Sequence, residues 1–192
     1  MSNPAFDAAG FLHFDLENGT IRSPGDEQLA LLPVELISNL APNDKLPGAS
    51  RKWGELHGKR LADHLNLKDS KETAGIDVLA SYLSGSLAVA GLGQVSLEIR
   101  SDALLFCVAK SKDSALSPCL KTLLCGFFAG YISVLIPAYS FDVIFLAEQN
   151  NGSLFFAGNP QATQKVQLWL QDGKNISEAL ELLAAIKQEE GK

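Results

Sequence analysis

Three histidines, three cysteines and one glycine doublet are the residues through which this chain could do chemistry. His57 and His64 stand seven apart on one expected helix, with Asp63 beside the second. A helical zinc site uses an i, i+4 pair or a third ligand close by, and this pair offers neither. Cys107, Cys119 and Cys125 contain no Cys-x-x-Cys pair. Their odd number fits buried thiols in a reducing compartment better than a disulfide framework. A nucleophilic cysteine needs a neighbouring base or a helix N-terminus to lower its pKa. Cys125 has Leu123, Leu124 and Phe127 around it instead. Gly-x-Ser-x-Gly, the strand-to-helix elbow of acyl-transfer enzymes, is absent. Gly91-Leu92-Gly93 superficially matches a dinucleotide-binding loop, but that loop must follow a strand and open a helix. Here the order is reversed, which makes it a helix end and a turn. The expectation is a protein with no catalytic apparatus, no metal and no cofactor.

Composition narrows the class further. The chain has 192 residues, 46% hydrophobic and 20% charged, with a net charge of −6 and a pI near 5.0. A domain of this size buries roughly 70% of the surface its unfolded chain exposes, so it folds without disulfides or metal. No cluster of Lys and Arg supplies the phosphate contacts that nucleic-acid binding requires, and an anionic membrane surface is disfavoured for the same reason. Residues 1–10 lack a basic start and an apolar stretch, so no secretory signal is expected and the location is read as cytoplasmic. Residues 122–141 carry no charge over a length that could span a bilayer. Gly126, Gly130, Ser133 and Pro137 interrupt that run, and its period changes from helical to strand-like at Pro137. It is therefore read as a buried helix followed by a strand, and no transmembrane segment is expected.

The elements that would position these residues follow from the periodicity. Phe11–Asp15 reads as a short strand, Arg22–Glu27 as a loop and Leu29–Leu40 as a helix. Ser50 is taken as the cap of a helix to about Leu65, and a second helix is expected over Gly75–Ala90. Strict alternation marks a strand over Gln94–Arg100, followed by another over Ala103–Ala109. Ser117-Pro118 opens a long central helix to about Leu135. Phe141–Ala147 and Ser153–Ala157 form a hairpin about Asn150-Asn151-Gly152, where Asn and Gly tolerate the φ that tight turns need. Helices over Thr163–Gln171 and Ser177–Glu189 end the chain, separated by Gly173.

Gly126 and Gly130 form a small-xxx-small spacing on the central helix. Such a face admits another backbone closely or leaves room for a ligand. On the second alternative, the cavity candidates are Trp53, His57, Cys125, Gly126, Phe127, Phe128, Gly130 and Tyr131.

The order of these elements resembles a known family. Two helices, the first carrying Gly58-Lys59-Arg60-Leu61-Ala62, precede Gly91-Leu92-Gly93 and two strands. The helix Cys125-Gly126-Phe127-Phe128-Ala129-Gly130-Tyr131 and a final hairpin follow. This resembles the 4-vinyl reductase-like domain and the related small subunits of the TRAPP vesicle-tethering complex, over about Leu32 to Phe156. The resemblance implies an α/β (α+β) fold with a small antiparallel sheet of about four strands packed against several helices. It also implies a homodimer that is not a catalyst, and that binds a small hydrophobic molecule or serves as a scaffold for a protein partner. Many bacterial members carry a Glu and two Cys near the last hairpin, apparently for metal. The matching positions are about Phe145, Glu148 and Phe156, so the thiols are missing and a metal sensor is not expected. The resemblance divides the chain into an N-terminal segment (1–28), the family-like domain (29–158) and a C-terminal helical extension of the same domain (159–192). The chain is also similar, more weakly, to the small accessory subunit of bacterial cellulose synthase, which implies an assembly subunit without a ligand.

Overall fold

A computed structural model describes residues 12–15, 17, 20–22, 28–29, 44–65, 76–101, 103–109, 116–150 and 152–190. Strands β1 (His13–Asp15), β2 (Thr20–Arg22) and β3 (Gln28–Leu29) form a small antiparallel sheet. Helices α1 (Leu46–His64) and α2 (Ile76–Val89) follow, then strands β4 (Val95–Arg100) and β5 (Ala103–Ala109). Helix α3 (Pro118–Leu135), the hairpin β6 (Asp142–Gln149) and β7 (Gly152–Gly158), and helices α4 (Pro160–Gln171) and α5 (Ile176–Glu190) complete the order.

The fold is the expected mixed α/β arrangement, with a four-stranded antiparallel sheet in the order β4-β5-β7-β6 packed against helices. β7 is central and buried along Gly152–Ala157, so its sequence Gly-Ser-Leu-Phe-Phe-Ala is an apolar run without alternation. Its odd and even residues serve different cores. Phe155 and Ala157 join Phe106, Leu124, Phe127 and Phe128 under α1–α3. Leu154 and Phe156 join Val166, Ala179, Leu180 and Leu183 under α4 and α5. The C-terminal helices therefore cover the second face of the sheet.

Local chemistry sets most boundaries. Ser117 Oγ accepts from Leu120 N and Asn159 Oδ1 accepts from Ala162 N, capping α3 and α4. Asn175 and Glu178 cap α5 reciprocally, each side chain accepting from the other's backbone N–H. α2 ends where Leu92 N reaches Leu87 O and Gly91 N reaches Ala88 O, a closure that needs the left-handed backbone of Gly91 (φ 73°).

Several boundaries differ from the sequence reading, among them the start of α4 at Pro160 rather than about Thr163. α1 starts four residues before Ser50, with Lys45 at its N-cap and a proline in its first turn. Ser50 lies inside the helix, where its hydroxyl donates to Leu46 O and Pro47 O. The apolar periodicity that marks the rest of α1 begins only after this turn, so the pattern concealed its start. Thr20–Arg22 is a strand of the small sheet, and Leu29 lies in β3. The remainder of the helix read over Leu29–Leu40 lies outside the described residues, as do the loops Lys68–Thr73 and Lys110–Ser114.

Among the described residues, α1 and α3 pack with backbone close to backbone. A Cβ on Gly126 would run into Ser50 Oγ and come within 2.8 Å of Pro47 O. One on Gly130 would run into Arg51 O and lie 2.9 Å from Glu55 N. Gly54 meets Phe127 O and Tyr131 N in the same way, and Gly58 meets Tyr131 O. Both helices advance together through these contacts, so they run parallel with glycines meeting backbone from each side. Of the two alternatives that the small-residue face left open, the structure takes the first. α3 also meets the length and composition of a membrane span, yet half of that window is buried inside the structure.

Gly130→Ala is expected to lower unfolding stability by about 2 kcal/mol or more, the upper range for forcing extra volume into a packed site. Gly48→Ala, with nothing within 4 Å of the added carbon, should gain about 0.5–1 kcal/mol. Urea midpoints of the two variants check the contrast.

Candidate functional site

The packing of α1 on α3 decides where the candidate residues go. Phe127 and Phe128 are fully buried and Tyr131 is nearly so. Trp53 stands 4.5 Å from the Phe127 ring and 5.4 Å from His57, which itself faces Phe127 at 5.5 Å. Phe128 stacks on Phe106 at 4.3 Å, nearly parallel. The Tyr131 hydroxyl donates to Leu79 O at 3.2 Å, and burial raises its pKa. Six of the eight candidates, Trp53, His57, Phe127, Phe128, Gly130 and Tyr131, thus belong to one continuous packed seam. Gly126 packs against Ser50 and Pro47 at the edge of the same seam, and it and Cys125 also border the space outside it.

They face an open groove of about 860 Å³ between α3, β6 and α4. One wall is a stripe of α3 at helical spacing: Lys121, Thr122, Cys125, Gly126 and Ala129. The opposite wall is a stripe of α4: Pro160, Thr163, Gln164 and Gln167. Asp142, Val143, Ile144 and Phe145 of β6 lie along it, and Pro47, Gly48 and Arg51 of α1 close one end. The small side chains that let α3 approach α1 also keep this wall low.

Two cations stand at the rim. Arg51 Nη1 donates to Phe141 O and Nη2 to Ser133 Oγ, each at 3.2 Å, and Nη1 lies 3.5 Å from Asp142 Oδ1. Lys121 Nζ lies 3.1 Å from Glu148 Oε1 and 4.1 Å from the centre of the Phe145 ring. Glu148 Oε2 accepts from Ser153 Oγ at 2.7 Å. Burial alone would raise the Glu148 carboxyl. The hydrogen bonds from Ser153 and Lys121, the Lys121 charge and the Leu116 backbone outweigh it, and the pKa falls below the ordinary 4.5. The Cys125 thiol goes the other way. Burial pushes it up to about 12, against the weaker effect of a backbone hydrogen bond from Phe145.

This arrangement can hold a ligand, but it offers no activated nucleophile. Cys125 stays protonated at neutral pH, and both rim cations face carboxylates. All three cysteines are free, and among the described residues no group of three or more His, Cys, Asp or Glu stands together as a metal site. Sequence reasoning missed Arg51, Lys121, Asp142 and the α4 wall. The one visible signal was Lys121, a lone charge on an otherwise apolar helix.

Because the folded-state pKa of Glu148 is depressed, its contribution to stability is present above the unfolded value. It is lost as pH falls through the folded value. Stability measured by urea unfolding should therefore drop on acidification below about pH 4.5, and Lys121→Met should flatten that part of the profile. Iodoacetamide at pH 8 should leave Cys125 unmodified in the folded protein and alkylate it after unfolding.

Compared with protein-family models and with curated proteins, the chain matches none, so the reading of the groove rests on its own residues.

Proposed function

We propose that this protein is a non-catalytic binding module that recruits another protein through the groove between α3, β6 and α4. The observation that carries this reading is a contrast in space. The region beneath Gly126 and Gly130 is filled by α1, through the Ser50 side chain and the backbone of Pro47 and Arg51, whereas the outer side of α3 faces an open cleft of about 860 Å³. A protonated Cys125 and ion-paired rim cations support binding over catalysis. The order of elements that resembles the 4-vinyl reductase-like and TRAPP subunits supports the same class, and with it a homodimer as the working form. A small hydrophobic ligand is the second reading, favoured by the floor of Cys125, Ala129, Val143 and Phe145.

Native mass spectrometry of the purified protein, followed by denaturing release, separates the two readings. The recruiting module is expected to fly as a dimer without added mass. A stoichiometric hydrophobic molecule released on denaturation would overturn it in favour of a carrier.

A further inference from the structure

The four-stranded sheet has a second edge, β4, on the side away from the groove. Two contacts fix which of its residues bond inward. Ala109 N donates to Gln94 O across the β4–β5 ladder, so Gln94 bonds inward and, by alternation, Ser96, Glu98 and Arg100 do too. Val95 N donates outward instead, to Ser84 Oγ on α2. Leu97 and Ile99 therefore turn their N–H and C=O to the outer side, where nothing bonds them among the described residues. α2 shields the edge at Val95 and leaves Ile99 open. The Ile99 side chain is 65% exposed, more than any other large aliphatic side chain among the described residues. Its neighbours on that face, Leu97 and Leu104, are only half-buried. On the other face Glu98 and Arg100 pair with each other. Arg100 Nε and Nη2 both donate to Glu98 Oε2, which leaves Arg100 Nη1 and Glu98 Oε1 without a bond among the described residues.

We propose that β4 pairs antiparallel with β4 of a second copy of this chain, about a two-fold axis at Ile99. This rests on the homodimer that the functional reading takes as the working form, and gives that homodimer its surface. Charge and the α2 contact choose the register. With the axis at Ile99, Glu98 lies opposite Arg100 of the second copy and Arg100 opposite its Glu98, so the charges alternate in sign around the axis. The ion pair within each chain is kept, because Nη1 and Oε1 are the donor and acceptor available for the new contact. An axis at Glu98 would set this carboxylate against its own copy, which repels. An axis at Leu97 would need the Val95 N–H that Ser84 already holds. At the chosen axis the paired Ile99 residues exchange both backbone hydrogen bonds, and their side chains cover each other on the opposite face. Leu97 comes opposite Ser101 of the second copy, a turn residue with φ 46°, where the ladder ends. So short a contact makes a concentration-dependent dimer rather than an obligate one. It joins the sheets through one edge and leaves β6 and the groove of each copy open.

The test is sedimentation of the full chain over a concentration series, with amide hydrogen exchange at the same concentrations. The expected result is a reversible dimer in which the Ile99 amide gains protection as concentration rises. Ile99→Lys sets like charges against each other on the axis and should raise the dimer Kd by about tenfold or more. Glu98→Arg leaves only cations on the other face and Arg100→Glu only anions, so each variant alone should be monomeric. An equimolar mixture of the two should dimerise, because every charge then faces its opposite across the axis. Should Ile99→Lys lose its fold, the mixture still decides, and the reverse holds as well. A mixture as monomeric as its components would overturn the register. A dimer that persists in Ile99→Lys and in both charge variants, with the Ile99 amide unprotected, would sink pairing through β4 and leave the homodimer to another surface. A chain that is monomeric at every concentration would sink the pairing and the dimeric working form together, while recruitment by the groove would still stand.

Discussion

The parallel crossing of α1 and α3, backbone against backbone, is the contact on which the rest of this structure depends. Gly54 and Gly58 on one helix and Gly126 and Gly130 on the other bring the backbones close, with the Ser50 hydroxyl and the Val134 Cβ packed beside them. Such proximity lets dispersion and weak Cα–H···O contacts act over the whole crossing. Two parallel helices place like ends of their dipoles side by side, an arrangement that only close packing offsets. Its consequence is polarity. The N-termini of both helices come to the same end of the molecule, and the N-terminus of α4 lies across the groove from them. The gathering of three helix N-termini at the groove is thus a by-product of how the core closes.

The sheet then divides the interior. With β7 buried on both sides, Phe155 anchors the aromatic core below α3, and Phe156 anchors the smaller core below α4 and α5. α3 and α4 cover opposite faces of the sheet and both reach β6, so the edge strand lies between their two walls. Among the described residues no further strand pairs with β6, and the edge does not lie on a flat surface. Natural sheets shield their edges against unspecific pairing, and here a bulge, Arg51 and the two helical walls do so.

Much of the architecture was legible because period and punctuation agree. The alternation of Val95, Leu97 and Ile99, the Ser117-Pro118 start and the Asn-rich hairpin turn each have a single local cause. The closing glycine of α2 was likewise readable from Gly91. Where local causes conflict, the reading fails. α1 opens on Pro47, Gly48 and Ala49 ahead of its apolar stripe, so Ser50 took the place of the true cap. The candidate residues were half legible. Phe127, Phe128 and Tyr131 are buried as an aromatic cluster on a core helix must be, but a Gly-rich helix face states only that something comes close. Whether that is a ligand or α1 depends on Gly54 and Gly58, whose partners lie some 70 residues away in the chain. The groove was legible only in fragments, through Cys125, Gly126 and the lone charge of Lys121. Its lining runs from Pro47 to Gln167, and what joins those pieces is tertiary.

The central claim is that the seam under α3 is solid and that binding happens on its outer side. Xenon is the direct probe, because apolar voids inside proteins take it up when they exist. Methyl and ring resonances of the protein would be followed under increasing xenon pressure. The account predicts that Leu124, Phe127 and Ile132 show no saturable shift. A saturable shift centred on Phe127, beneath Gly126 and Gly130, would reveal a hollow there and contradict it.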